Sequence, residues 1–516
     1  MKKLIYNLKS ISFNNLWIIP FTFILTWIVF LCILDSRTTP FNPLLLLTFI
    51  LLFSFLLCFT YKKLNRKFNK LSNKVTFIFY TISSIIMVFL QFYIGYKTRT
   101  NPTWDLGIAI NAAKEINLYG HMTESAAYFT NFPNNILNAL ILALCFKFFS
   151  IFGITSGNGP MLVLNILVMQ FSLFLMFQIT RKLFNNFTSC YTYILSMLFI
   201  PFYPYSSICY TDTLSMFIPL SFIYVFMKIK DHENIFSKVW FYYILIGILC
   251  FLALRIKITA LIIFIAILLV LFFSMKLFTK NFKTLIIGLI IATICFVGIN
   301  QFYKFVINKT KVINVKYSQT GLIPYTHWIM MGTYGQGAFS SSEYDYTFSF
   351  KDYNSRKKAN IKKVKERLKQ WKTQGYIKFL NNKISTQTWG DGTYDFTSIT
   401  SSNVREKNYM HEFFLADGKY YTQMYYYCQT YHFSMLILII ISLIYYMFKE
   451  EKIELKAMKL SMFGLLIFLL IWETRSRYML NYIPIYIILF VSGINVVSKN
   501  LTRILCMLFL KNNKAK

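Results

Sequence analysis

Asp105 lies in the run Asn101-Pro-Thr-Trp-Asp-Leu-Gly107, about ten residues after an apolar stretch, and opens the first long polar segment of a hydrophobic chain. A carboxylate kept just outside a hydrocarbon layer can take a proton from a hydroxyl nucleophile. Further acids are sparse. Glu115 and Glu124 follow in the same segment, Asp212 sits in Cys209-Tyr-Thr-Asp-Thr213, and Glu473 opens Glu473-Thr-Arg-Ser-Arg-Tyr478. Two cationic pairs stand between apolar runs where cations should be scarce: Arg255 with Lys257, and Arg475 with Arg477. Cations at the edge of a membrane bundle are costly to desolvate and are often kept to hold an anion. Guanidinium groups match phosphate oxygens in pairs. The plainer reading is that these side chains snorkel to ordinary headgroups. Asp212 likewise reads either as a second acid or as a helix N-cap. An acid and phosphate-binding cations in one cleft are what transfer of a group from a lipid phosphate needs.

Other motifs carry weaker signals. Trp104 beside Asp105, and Tyr128 in Tyr128-Phe-Thr-Asn-Phe-Pro-Asn-Asn135, could stack on a sugar, and the Pro and Asn residues there suit a turn and helix start. Trp389-Gly-Asp-Gly-Thr-Tyr394 places Asp391 in a Gly-rich turn, to be read as sugar contact or as a plain turn. His327, His411 and His432 lack metal-ligand spacing, so no metal ligand is assigned, and participation of a divalent cation is left open. The chain has no P-loop, GxSxG, HExxH or GxGxxG pattern, which argues against ATP-driven transport and the common hydrolases.

The elements that must position these residues are membrane helices. Of 516 residues, 56% are hydrophobic and 14% charged, and the mean hydropathy is +0.49. Apolar runs long enough to cross a ~30 Å hydrocarbon layer as helices recur along the chain. Short alternating segments of a barrel are missing, so an all-α polytopic membrane protein is expected. The net charge of +34 comes mostly from short clusters between spans, which mark a cytoplasmic side and disfavour nucleic acid as a partner. Nine scattered cysteines without CxxC read as small apolar residues. The basic amino terminus runs into an apolar stretch without a small-residue cleavage site and reads as a first span.

Spans are expected at 16–34, 44–60, 75–94, 161–180, 188–205, 211–227, 239–254, 258–275, 284–305, 433–448, 460–472 and 478–497. Basic clusters (Lys2, Lys3 and Lys9; Lys62 to Lys74; Arg181 and Lys182; Lys228, Lys230 and Lys238; Lys276, Lys280 and Lys283; Lys449 to Lys459; the tail from Lys499 to Lys516) fall at alternate connections. They share one side only if the apolar segment 135–153 does not cross, so that segment is read as an outer re-entrant or interfacial helix, and both termini as cytoplasmic. Residues 1–74 then form a helical hairpin with a basic loop, 75–305 the membrane core, 306–432 an extracytoplasmic α-rich loop domain, and 433–516 the last helices and basic tail. Within the loop domain, 355–371 reads as a basic amphipathic helix with Ile361, Val364, Leu368 and Trp371 on one face. It would lie on an anionic membrane or pack in the domain.

With these residues in hand, the membrane part, about 75–305 and 433–497, resembles the GT-C glycosyltransferases, which include protein O-mannosyltransferases and the lipid A aminoarabinose transferase. The likeness rests on Asp105, the Tyr128–Pro133 helix start, the basic turn Arg181-Lys-Leu-Phe184, Asp212, Lys257 with Thr259, and the Glu-x-Arg-x-Arg-Tyr-x-x-x-Tyr-x-Pro run from Glu473 to Pro484. It implies a GT-C-like bundle of about twelve spans in the cell membrane and an inverting sugar transferase. The donor would be a polyprenyl-phosphate-linked sugar and the acceptor an extracytoplasmic cell-wall or teichoic polymer. Asp105 would be the general base and Asp212 a second acid. Lys257, Arg255, Arg475 and Arg477 would bind the carrier phosphate, and Trp104, Tyr128, Glu473 and Asp391 the sugars. A lipid-linked polysaccharide polymerase or ligase, and then a lipid-linked sugar flippase, are the alternatives.

Overall fold

The computed structural model describes residues 2–34, 42–102, 104–154, 157–232, 236–274, 280–313, 322–401 and 408–512. Lys276, Lys514 and Lys516 lie outside the described residues. Among the described residues the chain is helical, with one isolated bridge, Met122 to Ile313, and no sheet.

The first three helices are α1 (Lys2–Leu34), α2 (Pro43–Phe68) and α3 (Asn73–Lys97). Local chemistry sets their starts. Pro43 occupies the first turn of α2 behind an Asn42 side chain that accepts from Leu44 N at 2.9 Å, and the Ser72 hydroxyl accepts from Val75 N at 3.3 Å. Three short helices follow: α4 (Asp105–Tyr119), α5 (Ala126–Asn131) and α6 (Ile136–Ser150). The core then continues with α7 (Asn158–Leu183), α8 (Asn186–Met197), α9 (Thr211–Leu214), α10 (Phe217–Asp231), α11 (Phe236–Ile256), α12 (Ile262–Ser274) and α13 (Lys280–Thr310). The polar segment holds α14 (Thr326–Met331), α15 (Ser341–Phe348), α16 (Tyr353–Lys383), α17 (Phe396–Ser401) and α18 (His411–Phe414), before α19 (Tyr421–Met447), α20 (Ile453–Ile471) and α21 (Ile483–Asn512) close the bundle.

Among the described residues ten helical segments are long and apolar enough to cross a membrane, and large apolar side chains such as Phe89 and Ile294 stand on the outside of the bundle, as hydrocarbon requires. The expected spans and these ten differ for physical reasons. Pro201 and Pro204 stop α8 after 12 residues, where 188–205 was expected, and α12 has 13. Glu454, Lys456 and Lys459 crowd the first turns of α20. The segment Pro133–Ser150 qualifies by length, yet its connection makes no net crossing. Helices α3 and α7 are antiparallel: Tyr80 packs on Phe177 at 4.7 Å, Gln91 accepts from Gln170 at 2.7 Å, and Gly95 abuts Leu162. The end of α3 and the start of α7 therefore share one end of the bundle, and the chain from 98 to 157 returns to the end it left. Helix α19 also starts earlier than expected, at Tyr421.

The basic connections gather at the opposite end. Asn186 donates to Leu71 O, Lys182 pairs with Asp231, Lys230 pairs with Glu454 at 3.2 Å, and Lys452 donates to Leu183 O. Helix α16 is longer than the expected 355–371 and kinks at Lys372 (φ 51°). It packs into the polar segment through Arg356, Ala359 and Asn360, which are buried, while Leu368 is exposed. Of the apolar stripe proposed from sequence only Leu368 faces outward, while Ile361, Val364 and Trp371 are half-buried beside polar contacts such as Arg367 to Glu343 at 2.7 Å.

Single cysteines at Tyr119 and Ile154, both exposed, should react with a membrane-impermeant thiol reagent from the same side, and one at Lys63 from the other. Labelling of Tyr119→Cys and Ile154→Cys from opposite sides would contradict the return of the 98–157 connection.

Candidate active site

One end of the bundle, opposite the basic connections, holds a cavity of about 340 Å³. Trp104, Asp105, Asp395, Glu473, Arg475 and Arg477 supply its polar wall, and Phe132, Trp328, Phe339, Tyr344 and Tyr478 its aromatic one.

Asp105 is the first residue of α4. The turn before it is tight: Gly107 N donates to Trp104 O at 2.7 Å, and a Cβ on Gly107 would come within 2.0 Å of Pro102 O. Only glycine fits there, and it fixes how α4 presents the carboxylate. Tyr210 OH donates to Asp105 Oδ2 at 3.2 Å. The Tyr128 hydroxyl stands within reach of the same carboxylate and accepts from Asn135 Nδ2 at 2.6 Å; burial, then the Asp105 charge, push this phenol up. Two phenols therefore orient the acid before any substrate arrives. Tyr128 acts on Asp105 and is not among the residues lining the cavity.

Asp212 belongs to a layer beneath. It is the second residue of α9, behind an N-cap at Tyr210, so the N-cap reading does not hold. One oxygen pairs with Lys257 and the other lies 3.6 Å from Arg477. These side chains are 3%, 11% and 14% exposed, so a single carboxylate is shared by two nearly dry cations. Arg477 then lies over Trp104 at 4.8 Å and Tyr478 at 5.5 Å, and Lys257 over Tyr478 at 4.8 Å. Of the four expected phosphate ligands, Arg475 and Arg477 reach the cavity, and Lys257 stays below it, bound to Asp212. Arg255 is elsewhere: it donates to Asn300 Oδ1 and stacks on Tyr303 at 4.8 Å, between α11 and α13.

Asp391 does not line the cavity either. Its oxygens accept from Thr393 N at 2.8 Å, Thr393 Oγ1 at 2.6 Å, Asp395 N at 2.7 Å and Ser476 Oγ at 2.8 Å, so it organises the turn instead of meeting a sugar. Its product is Asp395, an acid that sequence reading passed over although it follows the Gly-rich run directly. Tyr394 and Asp395 both adopt left-handed backbone (φ 56° and 66°). That costs on the order of 1 kcal/mol or more for a tyrosine and aims the Asp395 carboxylate at Arg475, 3.5 Å away. His432 holds the turn from α19: Nε2–H donates to Trp389 O at 2.9 Å, which leaves Nδ1 to accept from Tyr394 OH at 2.8 Å.

Glu473 is buried in the wall and accepts from Tyr478 OH at 2.9 and 3.1 Å. Burial raises its pKa, against the Tyr478 bond and the charges of Arg477 and Arg475, while Asp105 adds to the rise. Burial raises the pKa of Asp395 as well, opposed by Arg475 and Arg477. His327, which also lines the cavity, is pushed down to about 4 by burial and is neutral at physiological pH. Among the described residues no three His, Cys, Asp or Glu side chains group as a metal site.

Asp212→Asn strands Lys257 and Arg477 together and should cost about 3–5 kcal/mol, the range for breaking a buried ion pair. Lys257→Met leaves the carboxylate paired with Arg477 and should cost less. Thermal unfolding of the two purified variants gives the order; equal or reversed losses would refute the bridging role.

A family model described as "Conserved hypothetical integral membrane protein" matches residues 2–496. Nothing matches among the curated proteins. Among solved structures, the chain is similar to the archaeal oligosaccharyltransferase AglB from Archaeoglobus fulgidus in complex with an inhibitory peptide and a dolichol-phosphate, at 15% identity and a TM-score of 0.45, over 85% of this chain and 52% of that one. The chain thus spans about half the length of that protein. The family match runs almost from end to end and agrees with the ten apolar helices found among the described residues: the chain belongs to the conserved hypothetical integral membrane protein family, and it is a multi-pass membrane protein.

Proposed function

We propose that the protein is a GT-C-type glycosyltransferase that moves a sugar, with inversion, from a polyprenyl-phosphate carrier to an extracytoplasmic acceptor such as a cell-wall or teichoic polymer. The observation that carries this reading is the shared cavity in which Asp105, oriented by Tyr210, faces Arg475 and Arg477. In the reaction the acceptor hydroxyl oxygen bonds to the anomeric carbon, its proton passes to Asp105, and the bond from that carbon to the phosphate oxygen breaks. The departing polyprenyl phosphate takes the electron pair and is held by the arginines. Arg475, 34% exposed and loosely paired with Asp395 at 3.5 Å, is the cation a phosphate can claim most easily. Arg477 is already shared by Asp212 and the aromatic rings and supplies a fixed positive field. Trp104, Trp328 and Tyr344 offer ring faces for the sugar.

Cavity volume favours a single sugar over a lipid-linked oligosaccharide, since about 340 Å³ is near the low end for small-molecule sites. The reading also puts this end outside the cell and the basic end inside, with both termini cytoplasmic, by the bias of Lys and Arg to cytoplasmic loops.

With purified protein, carrier lipid and acceptor, Asp105→Asn should lower turnover about 100- to 10,000-fold, the contribution of a positioned base, while inserting normally. Arg475→Ala should act mainly on the apparent KM for the carrier. Full turnover by Asp105→Asn would remove the base from this scheme, and activity with oligosaccharide carriers alone would favour a polymerase or ligase.

A further inference from the structure

Lys383, the last residue of α16, is fully buried and has no carboxylate at ion-pair distance among the described residues. Its Nζ donates instead to three backbone carbonyls: Gly332 O at 2.9 Å, Leu470 O at 3.0 Å and Trp472 O at 2.7 Å. Two of these close the C-terminus of α20, where carbonyls lack helical partners and the dipole is negative. The third ends α14. Around this point the two segments are stitched edge to edge: Glu473 N donates to Trp328 O at 2.9 Å, and Thr474 N to Gly337 O at 2.8 Å. Gly337 (φ 81°) lies flat on the lysine stem, where a Cβ would come within 2.6 Å of Lys383 Cδ. The residues directly after Trp472 are those that face the cavity.

We propose that Lys383 is a positioning residue for the transferase site: its ammonium ties the 332–337 segment to the end of α20 and thereby sets where Glu473, Arg475 and Arg477 stand. Its effect on turnover rests on the transferase reading; the tether itself does not. An ammonium has three N–H donors and meets three carbonyls, whereas a neutral amine has two and leaves one carbonyl without a donor. Burial pushes this lysine down to about 7, against the pull of Glu473, so below that pH the ammonium meets all three carbonyls and above it the amine meets two at a smaller desolvation cost. Glu473 faces it from the α20–α21 connection. The 332–337 segment brings Tyr334, itself under the Arg367 guanidinium at 4.9 Å, and α16 adds Arg367 and Lys378 in the neighbouring groove. Trp27 and Leu31 of α1 approach beside Asn381 and are uncharged.

The sign of the linkage makes the role testable. Between about 7 and the ordinary lysine value of 10.5 the unfolded chain binds more protons at this site, so Lys383 raises global stability as pH rises. Where opening of residues 473–474 frees the ammonium to water, the open form binds the extra proton, so local order moves the same way. Amide hydrogen exchange of purified protein in detergent, corrected for intrinsic rates between pH 6 and 9, reads this directly. In the wild type, protection of the Glu473 and Thr474 amides should rise above pH 7, by up to about tenfold per pH unit. Lys383→Arg, which stays charged, should hold protection constant over that range, and Lys383→Met should lack it throughout. With carrier substrate, Lys383→Met should lose about 100-fold in kcat, the cost of an ångström-scale misplacement, and Lys383→Arg should restore turnover with a flat profile near pH 7. Wild-type protection and pH response in either variant overturns the proposal even if turnover is normal. A pH-dependent tether in a protein that turns over no carrier sugar would instead overturn the transferase reading and leave the tether standing.

Discussion

The polar end of this bundle depends on one carboxylate between two cations. Asp212 lies in a layer where Lys257 and Arg477 would each be costly to bury alone, and it meets one with each oxygen. Because the three come from α9, from the end of α11 and from the α20–α21 connection, the pairing fixes the relative position of three elements distant in sequence. Trp104, Tyr210 and Tyr478 then pack on Arg477. Trp104 and Tyr478 also line the cavity, so charge pairing and cavity shape have the same cause.

In that cavity stand two acids prepared in different ways. Asp105 is held by a hydrogen bond from Tyr210, on a helix start whose turn admits only glycine at 107. Asp395 is held by backbone strain, which persists because Asp391, Ser476 and His432 over-determine the turn. Strain kept at a cavity wall and absorbed by a second layer is the pattern expected where a side chain must point in one direction. Tyr205 adds to it from the opposite side, donating to Tyr394 O at 2.5 Å.

Much of the architecture was readable in the residues. Apolar runs mark helices because an unsatisfied backbone cannot sit in hydrocarbon, and the recurrence of Lys and Arg at alternate connections marked the end that the structure gathers together. The 135–153 segment was read as non-crossing from charge alone, and the antiparallel meeting of α3 and α7 gives the same return of the chain. Where reading failed, the competing force was local. Prolines cut α8 short, and α16 turns Arg367 inward because Glu343 and the Met330 carbonyl offer it partners. Arg255 looked equivalent to Lys257 two residues away. A step of two residues is just over half a turn at about 3.6 residues per turn, so such neighbours point to opposite faces, and Asn300 on α13 claimed Arg255.

Sequence by itself determined that this is a helical membrane protein with a polar, basic-and-acidic end, because composition and apolar run length act residue by residue and need no partner. It also singled out Asp105, Asp212, Lys257, Arg475 and Arg477, since charge next to hydrocarbon is conspicuous wherever the chain goes. Only tertiary structure decided which of these share a cavity, that Asp212 pairs with cations beneath it, that Asp395 belongs to its wall, and that Lys383 ties together the segments behind it. Those roles are set by distance in space and by burial, and a lysine or aspartate in a polar loop carries no mark of either until the helices around it have packed.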